Sequence, residues 1–292
     1  MPLPSSGTIT LAQIQTEFGG SNPISLNEYY RGTGSVTNNN TNIPTSGTIS
    51  MSNFYNGVTS TITYVGGLTS AASGISAGVR TITINGALTG GVAASPSVGD
   101  LVLLTWCCSV TAAASFSATT AGWTTIFSIY NPSTTGRGQG TILSVSYKIW
   151  ASGDSAVTFT VSASSNNASA ASIKVFRNIR RSGSTPELLT ATNSQANGSS
   201  ATINPPAITT GSKNFVAVVC VGFGNNDSSA LTAPGDMLAV LTSNGNDFRD
   251  ARIGMGHSAT ISNAGTYTPS NWAMATAVDR APVSITIGLR PD

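Results

Sequence analysis

Two hydrophobic rhythms divide this chain near residue 57. Before that point, apolar residues fall in clusters spaced for single helical turns. Ile9, Leu11, Ile14 and Phe18 make one, Ile24, Leu26, Tyr29 and Tyr30 a second, and Ile49, Met51, Phe54 and Tyr55 a third. Each cluster opens on a hydroxyl followed three residues later by an amide or acid: Thr10 and Gln13, Ser25 and Glu28, Ser50 and Asn53. That spacing suits a capping box, in which the two side chains satisfy free backbone amides at a helix start. Gly19-Gly20, Gly32 and Gly57 then end the turns, because glycine tolerates the left-handed conformation there.

From residue 58 onward the period becomes two. Thr61–Val65, Thr81–Ile84, Ile142–Ile149, Val157–Val161, Ile173–Arg177 and Ser284–Leu289 alternate apolar and polar residues, the pattern of antiparallel strands with one face in a core. Leu101–Trp106 and Phe215–Val221 are almost wholly apolar and read as central strands. Gly, Asn, Ser and Pro clusters separate these runs, and no long helix intervenes. The expected fold is all-β: an antiparallel β-sandwich, jelly-roll-like, preceded by an N-terminal arm of short helical turns.

Both regions repeat themselves. Leu3-Pro4-Ser5-Ser6-Gly7-Thr8-Ile9-Thr10-Leu11 returns 40 residues later as Ile43-Pro44-Thr45-Ser46-Gly47-Thr48-Ile49-Ser50-Met51, and Pro23–Gly32 echoes the middle of the unit. A unit this short cannot bury its own apolar side chains, so residues 1–57 are expected to form an anchoring arm that packs against another surface. The twelve apolar residues named above are its expected assembly interface. Within 58–292, Pro96–Leu104 resembles Pro206–Val219, each run closing on a cysteine (Cys107, Cys220), and Ile173–Arg177 matches Ile285–Arg290. This reads as one sandwich domain with an approximate internal duplication. Two tandem sandwiches are the alternative, with residues 193–206 as the best linker candidate.

Composition narrows the function classes. Only 8% of the 292 residues are charged and the net charge is +2, with no basic stripe for a phosphate backbone, so nucleic acid is not an expected ligand. Arg177, Arg180 and Arg181, the densest basic group, read as a solvated strand end. No run reaches the roughly 18–20 apolar residues that span a bilayer, so no membrane insertion is expected. Met1–Ser5 lacks the basic start and apolar core of a secretory signal, which points to a cytosolic product or another export route. Cys107, Cys108 and Cys220 are expected as buried, reduced thiols.

Catalytic chemistry is sparse, and no enzyme, metal or cofactor is expected. His257 is the sole histidine and reads as half-buried on a strand; a triad would need it to meet Asp250 or Asp279 and a serine, with no elbow motif present. Asp236 and Asp250 would be the pair for glycoside hydrolysis, but both read as solvated loop acids. Asp227, Asp236, Asp247 and Asp250 lack calcium-loop spacing. Gly66-Gly67 and Gly90-Gly91 read as turn glycines rather than phosphate cradles. Among the tryptophans, Trp106 is expected in the core and core positions are favoured for Trp123 and Trp150, while Trp272, beside Asn271 and Ser270, is the candidate for stacking on a glycan.

The stretch Pro4–Ile14, continued by Glu17–Gly32 and closed by Pro44–Gly57, resembles the N-terminal module of tailed-bacteriophage virion proteins, which precedes varied C-terminal domains. Gly99-Asp100-Leu101-Val102, Gly122-Trp123 and Leu289-Arg290-Pro291 more loosely resemble phage appendage domains. The resemblance covers about a fifth of the chain. It implies a non-enzymatic virion structural protein, assembled in the host cytoplasm, of tail fibre or appendage type. Its partners would be other virion proteins of tail, neck or capsid, with the sandwich in contact with host surface glycans. Symmetric homo-oligomerisation, for instance as a trimer, would let short arms share burial. A capsid decoration or cement protein without a receptor role is the first alternative, and a lectin-like or glycoside-acting module the second.

Overall fold

The computed structural model describes the chain from Leu3 to Pro291, except residues 21, 33–35, 37–39, 58–60, 76–77, 111–115, 119, 133–139, 162–166, 183–184, 191–193, 196–197, 200–201, 211–214, 226–229, 246–249, 262–264, 275–278 and 281. One α-helix, α1 (Leu11–Phe18), and two single 3-10 turns (Leu26–Tyr29 and Met51–Phe54) occupy the N-terminal region. Among the described residues the named strands pair antiparallel, as the period-two pattern predicts, and one isolated parallel bridge joins Arg31 to Val36.

The first half of the sandwich contains β1 (Thr63–Ile75), β2 (Gly78–Thr83), β3 (Leu101–Val110), β4 (Phe116–Ala118), β5 (Thr124–Asn131), β6 (Gly140–Ile149), β7 (Ala156–Val161) and β8 (Asn167–Arg177). They form a large sheet in the order β1-β8-β3-β6-β5 and a small one in the order β2-β7-β4. A short hairpin, β9 (Arg181–Ser182) with β10 (Thr185–Pro186), leads into the second half.

There, β11 (Leu188–Thr190) and β12 (Ser194–Gln195) both pair with β23 (Val283–Leu289), followed by β16 (Val216–Asn225), β19 (Asp250–His257) and β18 (Leu238–Gly245). The outer layer is in pieces: β13 (Gly198–Ser199) with β22 (Asp279–Arg280), β14 (Thr202–Ile203) with β21 (Trp272–Met274) and β17 (Leu231–Thr232), and β15 (Ile208–Thr210) with β20 (Gly265–Tyr267).

The two orders are the same. Replacing β1, β8, β3, β6 and β5 by β11/β12, β23, β16, β19 and β18 converts one large sheet into the other, and β2-β7-β4 corresponds to β14-β21-β17. Leu101 pairs with Phe176 in the first half as Val216 pairs with Leu289 in the second, so Arg177 answers to Arg290. The two halves thus share one strand topology, each with a large and a small sheet of its own. The register differs from the cysteine alignment, however. Thr105 donates its hydroxyl to Cys220 Sγ at 3.2 Å, and a Cβ added to Gly222 would lie 2.9 Å from Cys107 Sγ. Cys220 therefore faces Thr105, two residues away from the cysteine it seemed to match.

The halves pack through their large sheets. β16 lies against β3 and β6, β19 against β8 and β3, and β18 against β1 and β8. Strand order is reversed across the contact while β3 and β16 run the same way, since Thr105, Cys107 and Ser109 meet Cys220, Gly222 and Gly224 in turn. That is the geometry of a pseudo-twofold axis lying along the strands. It explains why β3 is buried at every position. Val102, Leu104, Trp106 and Cys108 fill the first half's own core, whereas Leu101, Leu103 and Cys107 pack on Val216, Val218 and Cys220 of the second. A strand covered on both faces loses its alternation and reads as continuous apolar sequence. Glycine permits the approach: a Cβ on Gly224 would meet Ser109 Cα at 2.8 Å. Gly66 and Gly67, expected in a turn, lie within β1 at a bulge, where Gly67 pairs with Lys174.

Candidate functional site

The N-terminal region carries the distinctive sequence and turns out to be a closed cap. Gln13 N–H donates to Thr10 Oγ1 at 3.2 Å while Thr10 N–H donates to Gln13 Oε1 at 2.8 Å, the reciprocal box that starts α1. Ser50 N–H donates to Asn53 Oδ1 at 2.8 Å in the third copy. In the second, the Ser25 hydroxyl accepts from Asn27 N–H at 3.3 Å. The two ends of the cap meet, with Leu3 N–H on Gly57 O at 2.9 Å and Asn56 N–H on Pro4 O at 3.1 Å.

Equivalent residues of the three copies do equivalent work. Ile14, Tyr29 and Phe54 hold the same place in the repeat and are each fully buried. Phe18, Tyr29 and Phe54 form a triangle of rings with centroids 6.1–6.5 Å apart. Tyr30 donates its hydroxyl to Gly47 O, and its counterpart Tyr55 donates to Gly7 O, so each ties its copy to another. Leu3, Ile9, Val36 and Ile43 complete the core.

This corrects the expectation that the repeats must be buried by a foreign surface. One unit cannot cover its apolar residues, but three cover one another. Ile9, Ile14, Phe18, Tyr29 and Phe54 are interior residues of the cap, not an open interface. Leu11, Ile24, Leu26, Tyr30, Ile49, Met51 and Tyr55 remain half-buried. Leu11, Leu26 and Met51 again occupy one repeat position.

The arginines read as a solvated strand end are a clasp. Arg177 grips Asp100 with two bonds, Nε to Oδ1 at 2.9 Å and Nη2 to Oδ2 at 2.8 Å, and the hydrogen bond to this carboxylate raises the arginine's pKa further. Arg180 Nε lies 3.1 Å from Glu187 and its Nη2 donates to Gly32 O of the cap at 3.0 Å. Arg290 reaches the same Glu187 oxygen at 3.4 Å. Of these, the Arg180–Gly32 bond fastens cap to sandwich, and the Glu187 pairs hold Arg180 beside the hairpin that joins the halves.

Trp272, the candidate glycan platform, is wholly buried under β16 and β19, touching the place of Gly254, where a Cβ would come within 2.4 Å of its ring. Period two put it inward: Trp272 and Met274 face the core and Ala273 faces out. Trp106 and Trp150 are core, and Trp123 packs against the same cluster. The three cysteines are buried and unpaired.

His257 lies deeper than its sequence context suggests, between Tyr64 and Phe176. Its Nδ1 is 2.9 Å from Nζ of Lys174, a fully buried lysine that sequence reading passed over. Alternation gives Lys174 the polar position between Ile173 and Val175, and it is buried because that face, opposite Leu103, is covered by the second half. Asp236 is exposed, accepting from Ser270 Oγ at 3.0 Å. The side chains of Asp227, Asp247, Asp250 and Asp279 lie outside the described residues. Among the described residues, no three His, Cys, Asp or Glu side chains gather as a metal site, and no helix is long and apolar enough to cross a membrane.

Comparison with protein-family models, with curated proteins and with solved structures finds no match to this chain.

Proposed function

We propose that this is a structural component of a tailed-phage particle, fixed to it through the N-terminal cap and presenting the double sandwich outward as a tail fibre or appendage. The cap carries the reading. Its repeated sequence resembles virion anchoring modules, and after self-burial it still offers Leu11, Leu26 and Met51 at matching positions as half-exposed apolar contacts. The order β1-β8-β3-β6 opposed by β2-β7-β4 supports a jelly-roll reading of each half, one in which β5 joins β6 instead of the smaller sheet. Partners on the particle would be tail, neck or capsid proteins, and the site of assembly the host cytoplasm.

One observation favours a second reading, a capsid decoration protein without a receptor role. Trp106, Trp150 and Trp272 are buried in cores and Trp123 is half-buried against one, so among the described residues no indole lies fully exposed as a platform for a sugar ring.

The test is particle incorporation of a chain carrying Leu11→Glu, Leu26→Glu and Met51→Glu, with thermal unfolding measured in parallel. Loss of incorporation by a normally folded chain is the expected result. Full occupancy on particles would refute the anchoring role. Cryo-electron microscopy of labelled particles separates tail from capsid.

A further inference from the structure

Lys174 and His257 stand out as two buried bases in direct contact across the seam between the halves. Lys174 lies on β8 of the first half and His257 on β19 of the second, at 0% and 7% exposure. Nζ is 2.6 Å from Ala239 O, 3.5 Å from Leu238 O and 2.9 Å from His257 Nδ1, and sits 4.7 Å over the centre of the Tyr64 ring. An ammonium has three N–H groups, and here it finds three acceptors.

The carbonyls come from a distorted place. β18 bulges between Leu238 and Leu241, and Ala239 has φ of 44°, a left-handed conformation that alanine rarely adopts. β18 is an outer strand bonded only to β19. Leu238 and Val240 on it are 47% and 36% exposed. Lys174 therefore binds the distorted edge of one half to the sheet of the other.

We propose that Lys174 and His257 form an acid-operated clasp between the two sandwiches: with the imidazole neutral, Lys174 keeps the bulged edge β18 seated on the first half, and protonation of the imidazole releases that edge. With lysine charged and imidazole neutral, every contact is a donor meeting an acceptor. Protonating the imidazole sets N–H against N–H and two positive charges 2.9 Å apart in a buried site. The other titratable groups facing the pair are Tyr64 on β1 and Cys220 on β16, each pushed up to about 12 chiefly by burial and so neutral throughout. Among the described residues no carboxylate bonds to either base. Burial, with the mutual repulsion of the pair, lowers His257 to about 3, and burial lowers Lys174 to about 7.

Linkage gives the response. Below the free-imidazole value near 6.5 the open form binds one more proton than the closed form, so opening of β18 grows about tenfold per pH unit until near pH 3. Hydrogen–deuterium exchange of the full chain at pH 7, 5.5 and 4.5, corrected for intrinsic rates, reads this over β18 and over its topological counterpart β5. β18 should open progressively on acidification while β5 does not. His257→Gln, which keeps an acceptor for Lys174 and cannot take up the proton, should abolish the slope. An unchanged slope in His257→Gln, or β5 opening in step with β18 in the unsubstituted chain, would overturn the clasp.

Discussion

The cap and the sandwich are both built by repetition, and they keep its trace differently. In the cap, three copies still share words: Pro-x-Ser-Gly-Thr-Ile in the first and third, and Ile-[Thr/Ser]-[Leu/Met] in all three. In the sandwich, two halves share an eight-strand topology, yet little of it can be read from the residues. The physical demands explain the contrast. A one-turn helix start needs a particular hydroxyl at its N-cap, and Gly7 and Gly47 hold φ of 95° and 85°, values that few side chains accept. A strand needs only alternation, which Val, Ile, Leu, Thr or Ser can each supply. Specific geometry preserves spelling; a pleated surface does not.

Substitutions in the two cores test whether the regions are as separate as this contrast implies. Phe54→Ala removes one side of the aromatic triangle and should cost about 3–5 kcal/mol. That loss should fall on the cap alone, because its core cluster contains no residue beyond Phe54 and Tyr55 on the C-terminal side. Chemical denaturation followed by near-ultraviolet signals should show an early cap transition and an unshifted sandwich transition. A single cooperative transition, displaced as a whole, would mean that the Arg180–Gly32 contact couples the two more tightly than the packing suggests.

In the sandwich the comparable weak point is the seam between halves. Gly222→Val would push a branched side chain into Cys107 and Leu143, both within 2.9 Å of the added Cβ, and overpacking of this kind costs about 1–3 kcal/mol. Here the sandwich transition should move and the cap transition should not. Gly7→Ala in the cap is the converse: open space surrounds its Cβ, so the cost is one of backbone strain alone, about 1 kcal/mol.

Acid should separate the regions too. His257 and Lys174 are both lowered bases, so the unfolded chain binds more protons than the folded one between about pH 3 and 6.5 for the first, and between about 7 and 10.5 for the second. Sandwich stability should therefore fall as pH drops below 6.5 and rise as pH climbs above 7, at about 1.4 kcal/mol per pH unit in each window. Urea midpoints of the sandwich transition taken from pH 4 to 10 measure this directly. A flat profile would mean that the unfolded or open state screens the pair in a way its burial does not predict.

How much of this was legible follows from the same contrast. The eight strand segments read from alternation or apolar runs each overlap a strand, with Thr61, Ile62, Ile84 and Phe215 falling outside the strand ends, because a core-facing period of two survives any substitution that keeps polarity. β5 and β18 escaped notice: Thr124–Asn131 and Leu238–Gly245 are edge strands with bulges, and a bulge shifts the alternation by one. The turns of the cap were legible from capping residues, but its closure was not, since nothing in one copy states that its neighbour lies in the same chain. Trp272 misled for a related reason. Asn271 and Ser270 beside it are loop residues, and inward or outward direction is set by pairing with β14, which lies some 70 residues upstream.

The finest test of the cap's symmetry concerns Tyr30 and Tyr55. Both stand one place after the buried core residue of their copy, and each hydroxyl bonds to the carbonyl of the glycine in a Ser-Gly-Thr turn, Gly47 for Tyr30 and Gly7 for Tyr55. Both side chains are half-buried, so phenylalanine fits each place without a cavity. The lost hydrogen bond should cost about 0.5–1.5 kcal/mol at either position. If the copies are physically equivalent, Tyr30→Phe and Tyr55→Phe should lower the cap midpoint equally, and the double substitution should add, since no shared partner couples them. Unequal costs would place more of the closure on one seam. The candidate is Tyr55, whose bond joins the last copy to the first beside the Leu3–Gly57 and Asn56–Pro4 backbone pairs and so closes the ring.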